Sequence, residues 1–321
     1  MYKKLEKIPV GLSGVALGTA TLGLAWKNQG INWVSYLTLG IALIYFFVLF
    51  IRDLRHPNIF KSELEHHVLG SYVPTLAMAM MVFAGASVEQ FPTFGKGLWL
   101  FAIGLHFICL AIFVYHRFKR FDWEEMVPSW FVPPIGIVVA CVNSSQMGFD
   151  SLAQWIWYIA APLYLVMLAF MIYRLTFYNF KHLETFGIMA APASLCFAGY
   201  LVIAKEPTDL ICHGFLLLSL LMTGVLYIAF FKLLRKKFNP GFAAFTFPLA
   251  IGTVALEKYS ALLTSQGELQ LANVIQWIGR FELFIASVVI CYVVIAFYRY
   301  CKHDVFEFPK RLGNLRFPQP L

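Results

Sequence analysis

Ten apolar runs, each about as long as a bilayer is thick, follow one another along the chain at about 8–26, 33–51, 68–87, 97–116, 129–147, 152–173, 185–204, 209–231, 241–261 and 272–298. A helix needs about 20 such residues to cross the hydrocarbon core. Backbone groups in lipid must be satisfied within the spanning structure, so runs of this length are expected to fold as helices. The connections between them, such as RDLRHPNIFKSELEHH, HRFKRFDWEEM and KLLRKKFNPG, are polar or charged or carry Gly and Pro. Only 13% of the 321 residues are charged and 60% are hydrophobic, against about 25% and about 45–50% in soluble domains. A soluble enzyme is excluded, and the expected fold class is an all-α integral membrane protein, a single transmembrane domain over 1–321. The first run follows the basic MYKKLEK and has the outline of a signal peptide. Its length of about 19 residues exceeds a cleavable apolar region and suits a span.

Lys and Arg collect in cytoplasmic loops. Of 25 such residues, 20 fall in the N-terminal segment, the connections after runs two, four, six and eight, and the C-terminal segment. The other side holds Lys27, Lys96, Lys205, Lys258 and Arg280. Both termini are therefore expected in the cytoplasm, as an even number of spans requires, and a bacterial inner (plasma) membrane is the expected location. The net charge of +8 is then a topology signal, and no nucleic-acid partner is expected. The six cysteines show neither C-x-x-C nor metal spacing and read as small core hydrophobes; no metal and no cofactor is expected.

Prolines reveal a repeat. Pro9, Pro74, Pro133, Pro192 and Pro248 fall in the odd runs, 65, 59, 59 and 56 residues apart, each followed by small residues: Gly11 and Gly14, Ala77 and Ala79, Gly136 and Ala140, Ser194 and Ala198, Ala250 and Gly252. A proline inside a helix removes a backbone donor and clashes with the carbonyl four residues back. In a membrane the freed groups must face protein or a water-filled cavity. Five helical hairpins are expected, with odd helices kinked at proline around a central pore and bulkier even helices outside. Pro9 and Pro128 also suit a helix's first turn. Pro74, Pro192 and Pro248 lie too far into their runs for that.

The stretches IPVGLSGVALG (8–18), SYVPTLAMAM (71–80), FVPPIGIVVA (131–140), APASLCFAGY (191–200) and FAAFTFPLAIGT (242–253) resemble the slow-type anion channel and tellurite-resistance/C4-dicarboxylate transporter family. The resemblance implies ten helices in five quasi-symmetric hairpins, a homotrimer with one pore per protomer, and a Phe before the ninth-helix proline that plugs the pore. That residue is Phe247, in AFTFPLA. Plant channels of this kind carry long cytoplasmic tails that kinases modify. Few residues flank the spans here, and kinase gating is not expected.

The expected site is therefore a pore gated at Phe247, bent at the five prolines and lined by Gly14, Ala77, Gly136, Ser194 and Gly252. Charge is almost absent from the odd runs, with Glu257 and Lys258 near the far end of the ninth, so no carboxylate ring selects cations. Anion preference is expected from helix N-terminal ends and from a basic mouth of Arg52, Lys119, Lys181 and Lys236. His106, mid-span in the fourth run, is expected to hydrogen-bond a neighbouring helix. The pair His66–His67 has no metal spacing. Arg280 and Glu282, two apart on different helix faces, read as a snorkelling cation and a contact to a neighbouring helix or subunit, and Glu184 as a first-turn carboxylate. Two functions compete: a channel for small monovalent anions such as chloride or nitrate, and a secondary transporter of C4-dicarboxylates or tellurite-type oxyanions. A dicarboxylate carrier should hold its substrate with Arg or Lys near mid-membrane. The odd runs offer none.

Overall fold

The computed structural model describes residues 5–180 and 182–302, and the expected mouth residue Lys181 lies outside them. Every element among the described residues is helical. Among the described residues, eight helices are long and apolar enough to cross a membrane: Asn32–Arg55, Leu69–Ser87, Pro92–Lys119, Asp150–Phe177, Leu183–Ile203, Asp209–Leu233, Pro240–Ser265 and Leu269–Tyr300. The first and fifth expected runs are not among them. Gly11–Asn28 is an 18-residue helix diluted by Gly and Thr, and Pro128–Val142 is a shorter apolar stretch assembled from several short helices.

In chain order the α-helices are α1 (Gly11–Asn28), α2 (Asn32–Arg55), α3 (Pro57–Glu65), α4 (Leu69–Tyr72), α5 (Pro74–Ser87), α6 (Pro92–Lys119), α7 (Val132–Ile135), α8 (Val139–Val142), α9 (Asp150–Phe177), α10 (Ala191–Ile203), α11 (Asp209–Leu233), α12 (Thr246–Ser265) and α13 (Leu269–Tyr300). Short 3₁₀ segments at Pro128–Phe131, Leu183–Ala190 and Pro240–Phe245 precede α7, α10 and α12.

Burial alternates along the chain. Of the most apolar 18 residues, 83% are buried in Leu69–Ser87, 78% in Leu183–Ile203 and 83% in Pro240–Ser265, against 17% to 39% in α2, α6, α9, α11 and α13. Gly11 to Gly23 are buried without a break, as are residues 126–142 apart from Pro134. The buried helices touch in a closed circuit, α1 to α5 to α8 to α10 to α12 and back to α1. Each also packs on the exposed helix that follows it in sequence.

Glycine makes the close circuit possible. A Cβ added at Gly18 would fall 2.4 Å from Thr246 Cβ and 2.6 Å from the Phe247 nitrogen, and one at Gly199 would fall 2.7 Å from Val138 Cγ1. By contrast, Gly40, Gly104, Gly214 and Gly224 on exposed helices have nothing within 4 Å of that position. Small residues let backbones approach where lipid supplies no hydrophobic drive.

The prolines stand at or beside junctions between helical segments, and this corrects one expectation. Pro74 opens α5, Pro133 and Pro192 are the second residues of α7 and α10, and Pro248 is the third of α12. Pro74, Pro192 and Pro248 therefore are first-turn residues; the remaining length of each run is supplied by a preceding 3₁₀ segment or, before Pro74, by α4. A proline ring clashes with the carbonyl four residues back. For Pro133, Pro192 and Pro248 that carbonyl belongs to Ser129, Ile188 and Ala244, each within a 3₁₀ segment. Tightening the turn relieves the clash while keeping backbone bonds. Pro9 precedes α1 and accepts a hydrogen bond from the Leu12 nitrogen at 3.1 Å.

Candidate functional site

Each buried run contributes wall residues to one small cavity inside the circuit. α1 gives Gly14 and Leu17; α4 and α5 give Tyr72, Thr75 and Met78; the Pro128–Val142 stretch gives Phe131, Ile135 and Gly136; Leu183–Ile203 gives Ile188, Pro192 and Leu195; Pro240–Ser265 gives Ala243, Ala244, Phe247 and Pro248. The cavity measures about 40 Å³, room for about one to three waters. None of its lining residues is charged.

Phe247 is held from behind. Gly18 presses on the Thr246–Phe247 backbone, and the Thr246 hydroxyl lies 3.0 Å from the Gly14 carbonyl and 2.8 Å from that of Ala243. α1 thereby fixes the start of α12 at the residue before Phe247, whose side chain is buried against the cavity. Across it, Thr75 donates to Ser13 Oγ at 2.6 Å, tying α5 to α1. The Tyr72 hydroxyl is buried with no hydrogen-bond partner among the described residues. Gly18, Tyr72, Thr75 and Thr246 were not expected from the sequence. A tyrosine one residue before the Val-Pro pair of α5, on a helix otherwise without polar groups of that size, was the available signal.

The expected wall residues divide. Gly14, Gly136, Pro192, Phe247 and Pro248 meet at the cavity, whereas Ala77, Ser194 and Gly252 do not. Ala77 is turned to an apolar groove of about 690 Å³ between α2, α5 and α6. Ser194 bonds the Ser219 hydroxyl of α11 at 2.6 Å. Gly252 backs onto Glu282 of α13. Pro9, Pro74 and Pro133 also lie off the cavity wall.

The basic mouth is corrected at Arg52. Its side chain is wholly buried, paired with Glu63 through both terminal nitrogens, with Asp53 at 2.6 Å, and donating to the Ile8 carbonyl at 2.6 Å. It clamps α2 and α3 to the chain entering α1 and presents no free charge. Arg117 likewise pairs with Glu125 at 3.1 Å and donates to the Glu65 carbonyl. Lys119 and Lys236 are exposed, and Lys119 lies 4.4 Å from the Tyr115 ring centroid.

His66, His67 and His182 gather at the same end, with ring centroids 4.5 Å and 5.9 Å apart along the series. Burial lowers the pKa of His66, and the neighbouring His182 lowers it further; burial and then His66 do the same for His67. His66 Nδ1 accepts from the Val68 and Leu69 nitrogens, so its neutral ring carries the proton on Nε2. Among the described residues no group of three or more His, Cys, Asp or Glu is placed to hold a metal ion.

His106 is buried and donates through Nε2 to the Pro133 carbonyl at 2.8 Å. It ties α6 to the third buried run. Glu184 sits in the first turn of Leu183–Ala190. Arg280 lies over the Trp277 ring at 5.3 Å, while Glu282 is buried. At the opposite ends of the buried helices, Asn28 and Gln29 both donate to Glu257 at 2.9 Å, and Lys27 pairs with Glu89 at 3.2 Å, which keeps that carboxyl below its usual range.

The sequence model of the SLAC1 family, described as voltage-dependent anion channel, matches residues 7–298. The chain is 24% identical to a tellurite resistance protein TehA homolog of Haemophilus influenzae over 93% of both chains. It is 26% identical to an uncharacterized transporter of Methanocaldococcus jannaschii over 68% of this chain and 73% of the relative. It is 22% identical to the guard cell S-type anion channel SLAC1 of Arabidopsis thaliana over 86% of this chain and 54% of the relative. A closed circuit of buried helices with an uncharged cavity, in a chain of membrane-spanning apolar helices matched by that model over nearly its whole length, belongs to the SLAC1 family of membrane transporters and anion channels.

Proposed function

We propose that the chain is a pore for small monovalent anions, chloride or nitrate, closed in this arrangement by the Phe247 ring. The observation that carries this reading is the cavity itself: all five buried runs reach it, and no charged side chain does. A permeant ion needs weak, repeated contact, since tight binding would hold it. Apolar walls with one unpartnered hydroxyl, that of Tyr72, supply such contact, because a hydroxyl donates readily to an anion.

In this reading ten helices, the eight long ones together with Gly11–Asn28 and Pro128–Val142, cross the membrane as five quasi-symmetric hairpins. The buried helix of each hairpin bends at its proline junction. Both termini lie in the cytoplasm of a bacterial cell, the protein works as a homotrimer with one pore per protomer, and the Lys and Arg gathered at the cytoplasmic side favour anions there. The buried runs all begin on that side, so their positive ends add to the effect.

The competing secondary transporter of C4-dicarboxylates or tellurite-type oxyanions would need cationic groups for a divalent substrate. The uncharged cavity supports the pore. Proteoliposomes preloaded with chloride and then with malate or succinate separate the readings. The pore reading expects ohmic chloride currents and no uphill accumulation. Dicarboxylate accumulation against a gradient, with no chloride current, would overturn it.

A further inference from the structure

Behind the cavity wall lies a polar cluster that conduction does not use. Glu282 stands 13 residues into the 32-residue helix α13, about 20 Å from its start at 1.5 Å per residue, and only 4% of it is exposed. It lies against the Gly252 backbone. A Cβ placed there would be 2.8 Å from Glu282 Oε2, 3.7 Å from Ser194 Oγ and 3.8 Å from Thr223 Oγ1. Oxygens from α10, α11 and α13 thus converge on one point of α12.

Among the described residues no counter-charge faces Glu282. Ser194 donates to the Ala190 carbonyl and accepts from Ser219, so both serine protons are spent. The Tyr227 hydroxyl, one turn beyond Thr223, is buried with no partner among the described residues. α12 carries Glu257, Lys258 and Tyr259, all more than a turn away along the helix, and Glu257 is taken by Asn28 and Gln29. From α1 comes Lys27, paired with Glu89, and α10 adds Cys196. On α11, Asp209, Cys212 and His213 lie near one end and Lys232 at the other, while the 3₁₀ segment Pro240–Phe245 has no titratable group. Arg280 turns outward over Trp277. A buried carboxylate without a partner is heavily penalised, whereas the neutral acid is not.

We propose that Glu282 is a proton-binding site behind the pore wall, and that its occupancy sets how closely α12, the helix of Phe247 and Pro248, packs on α13. Ionisation breaks the carboxyl O–H bond, leaves the electron pair on the carboxylate and gives the proton to water. A full charge then faces the Gly252 backbone, water enters, and α12 separates from α13. Phe247, five residues before Gly252 on the same helix, moves with it. The closed cavity belongs to the protonated form, and flux rises as the site empties.

Infrared difference spectra of the purified protein in lipid, wild type minus Glu282→Gln, test the site. The expected result is a protonated-carboxyl C=O band that shifts in heavy water, fades at alkaline pH and is lost in the variant. No such band at any pH overturns the proposal, as does a sodium-dependent thermal stabilisation lost in Glu282→Gln, which would make the occupant a metal cation. If Glu282→Gln does not fold, Glu282→Asp serves: a displaced band supports the assignment and an unmoved one overturns it.

The coupling, which rests on the pore reading, is tested by anion flux. Wild-type flux should rise about fivefold or more from weakly acidic to weakly alkaline pH, the lower range of site-to-site coupling, and Glu282→Gln should stay low throughout. A variant that keeps the wild-type pH profile overturns the coupling. The band requires no transport. A silent protein that shows it refutes the pore alone, and a conducting protein without it refutes the proton site alone.

Discussion

The buried circuit and the exposed helices around it are made of similar apolar residues and obey different rules. In α1, α5, α10 and α12 the backbone is what touches: Gly18 meets Thr246 and Phe247, Gly199 meets Val138, Gly252 meets Glu282. In α6 and α11 the glycines Gly104 and Gly214 meet nothing, and large side chains such as Phe101 and Leu217 face outward. The helices interrupted by 3₁₀ segments lie inside; of the outer helices α2, α6, α11 and α13 carry no internal proline, while α9 carries one, the exposed Pro162. The inner circuit is built to a fixed geometry, and the outward faces of the outer helices need only be apolar.

Substitution at matched glycines should break that contrast most sharply. Gly18→Leu drives a side chain into the start of α12, and overpacking of this kind costs about 1–3 kcal/mol or more; we expect the folded, monodisperse fraction on size-exclusion chromatography to be largely lost. Gly214→Leu should leave that fraction unchanged. Equal behaviour of the two would mean that the circuit tolerates what its geometry forbids.

The next effect comes from outer-helix residues that reach inward. Glu63→Ala removes the bidentate partner of the buried Arg52, and breaking such a pair costs about 3–5 kcal/mol, with Asp53 holding the loss to the lower end. His106→Leu leaves the Pro133 carbonyl unpaired and should cost about 1–3 kcal/mol. Thermal unfolding in detergent measures both. A shift no larger than that of Phe101→Ala, a residue 61% exposed, would remove the distinction between inward and outward faces of one helix.

The smallest effect concerns pH at the end where the buried runs begin. His66 and His67 have pKa values lowered by burial and by their neighbours. The unfolded chain therefore binds more protons between the lowered folded value and about 6.5, and stability rises with pH through that window. It should be complete above about 6.5 and decline on acidification. His66→Gln with His67→Gln should flatten the decline in a pH series of melting temperatures.

The proline period marks which runs are buried, because an interrupted helix must be shielded from lipid. It does not say how each helix is rotated. A helix buried on all sides has no apolar stripe to orient it, so Ser194, Gly252 and Ala77 read as pore walls when they face α11, α13 and an outer groove. Phe247 and Pro248 do line the cavity, and the aromatic–proline pair at the start of α12 was their signal in the sequence. Arg52 was misplaced for a different reason: a count of basic residues locates the side of a membrane and says nothing of partners.

Phe247 is proposed to close a pore through the uncharged cavity it lines. Planar-bilayer recording under a chloride gradient, with Phe247→Ala beside wild type and Phe101→Ala as the outer-helix control, tests it most directly. The prediction is a current at least about tenfold above wild type in Phe247→Ala alone, equivalent to about 1.4 kcal/mol off the barrier, reversing near the chloride potential. A folded Phe247→Ala protein that conducts no more than wild type would contradict the gate.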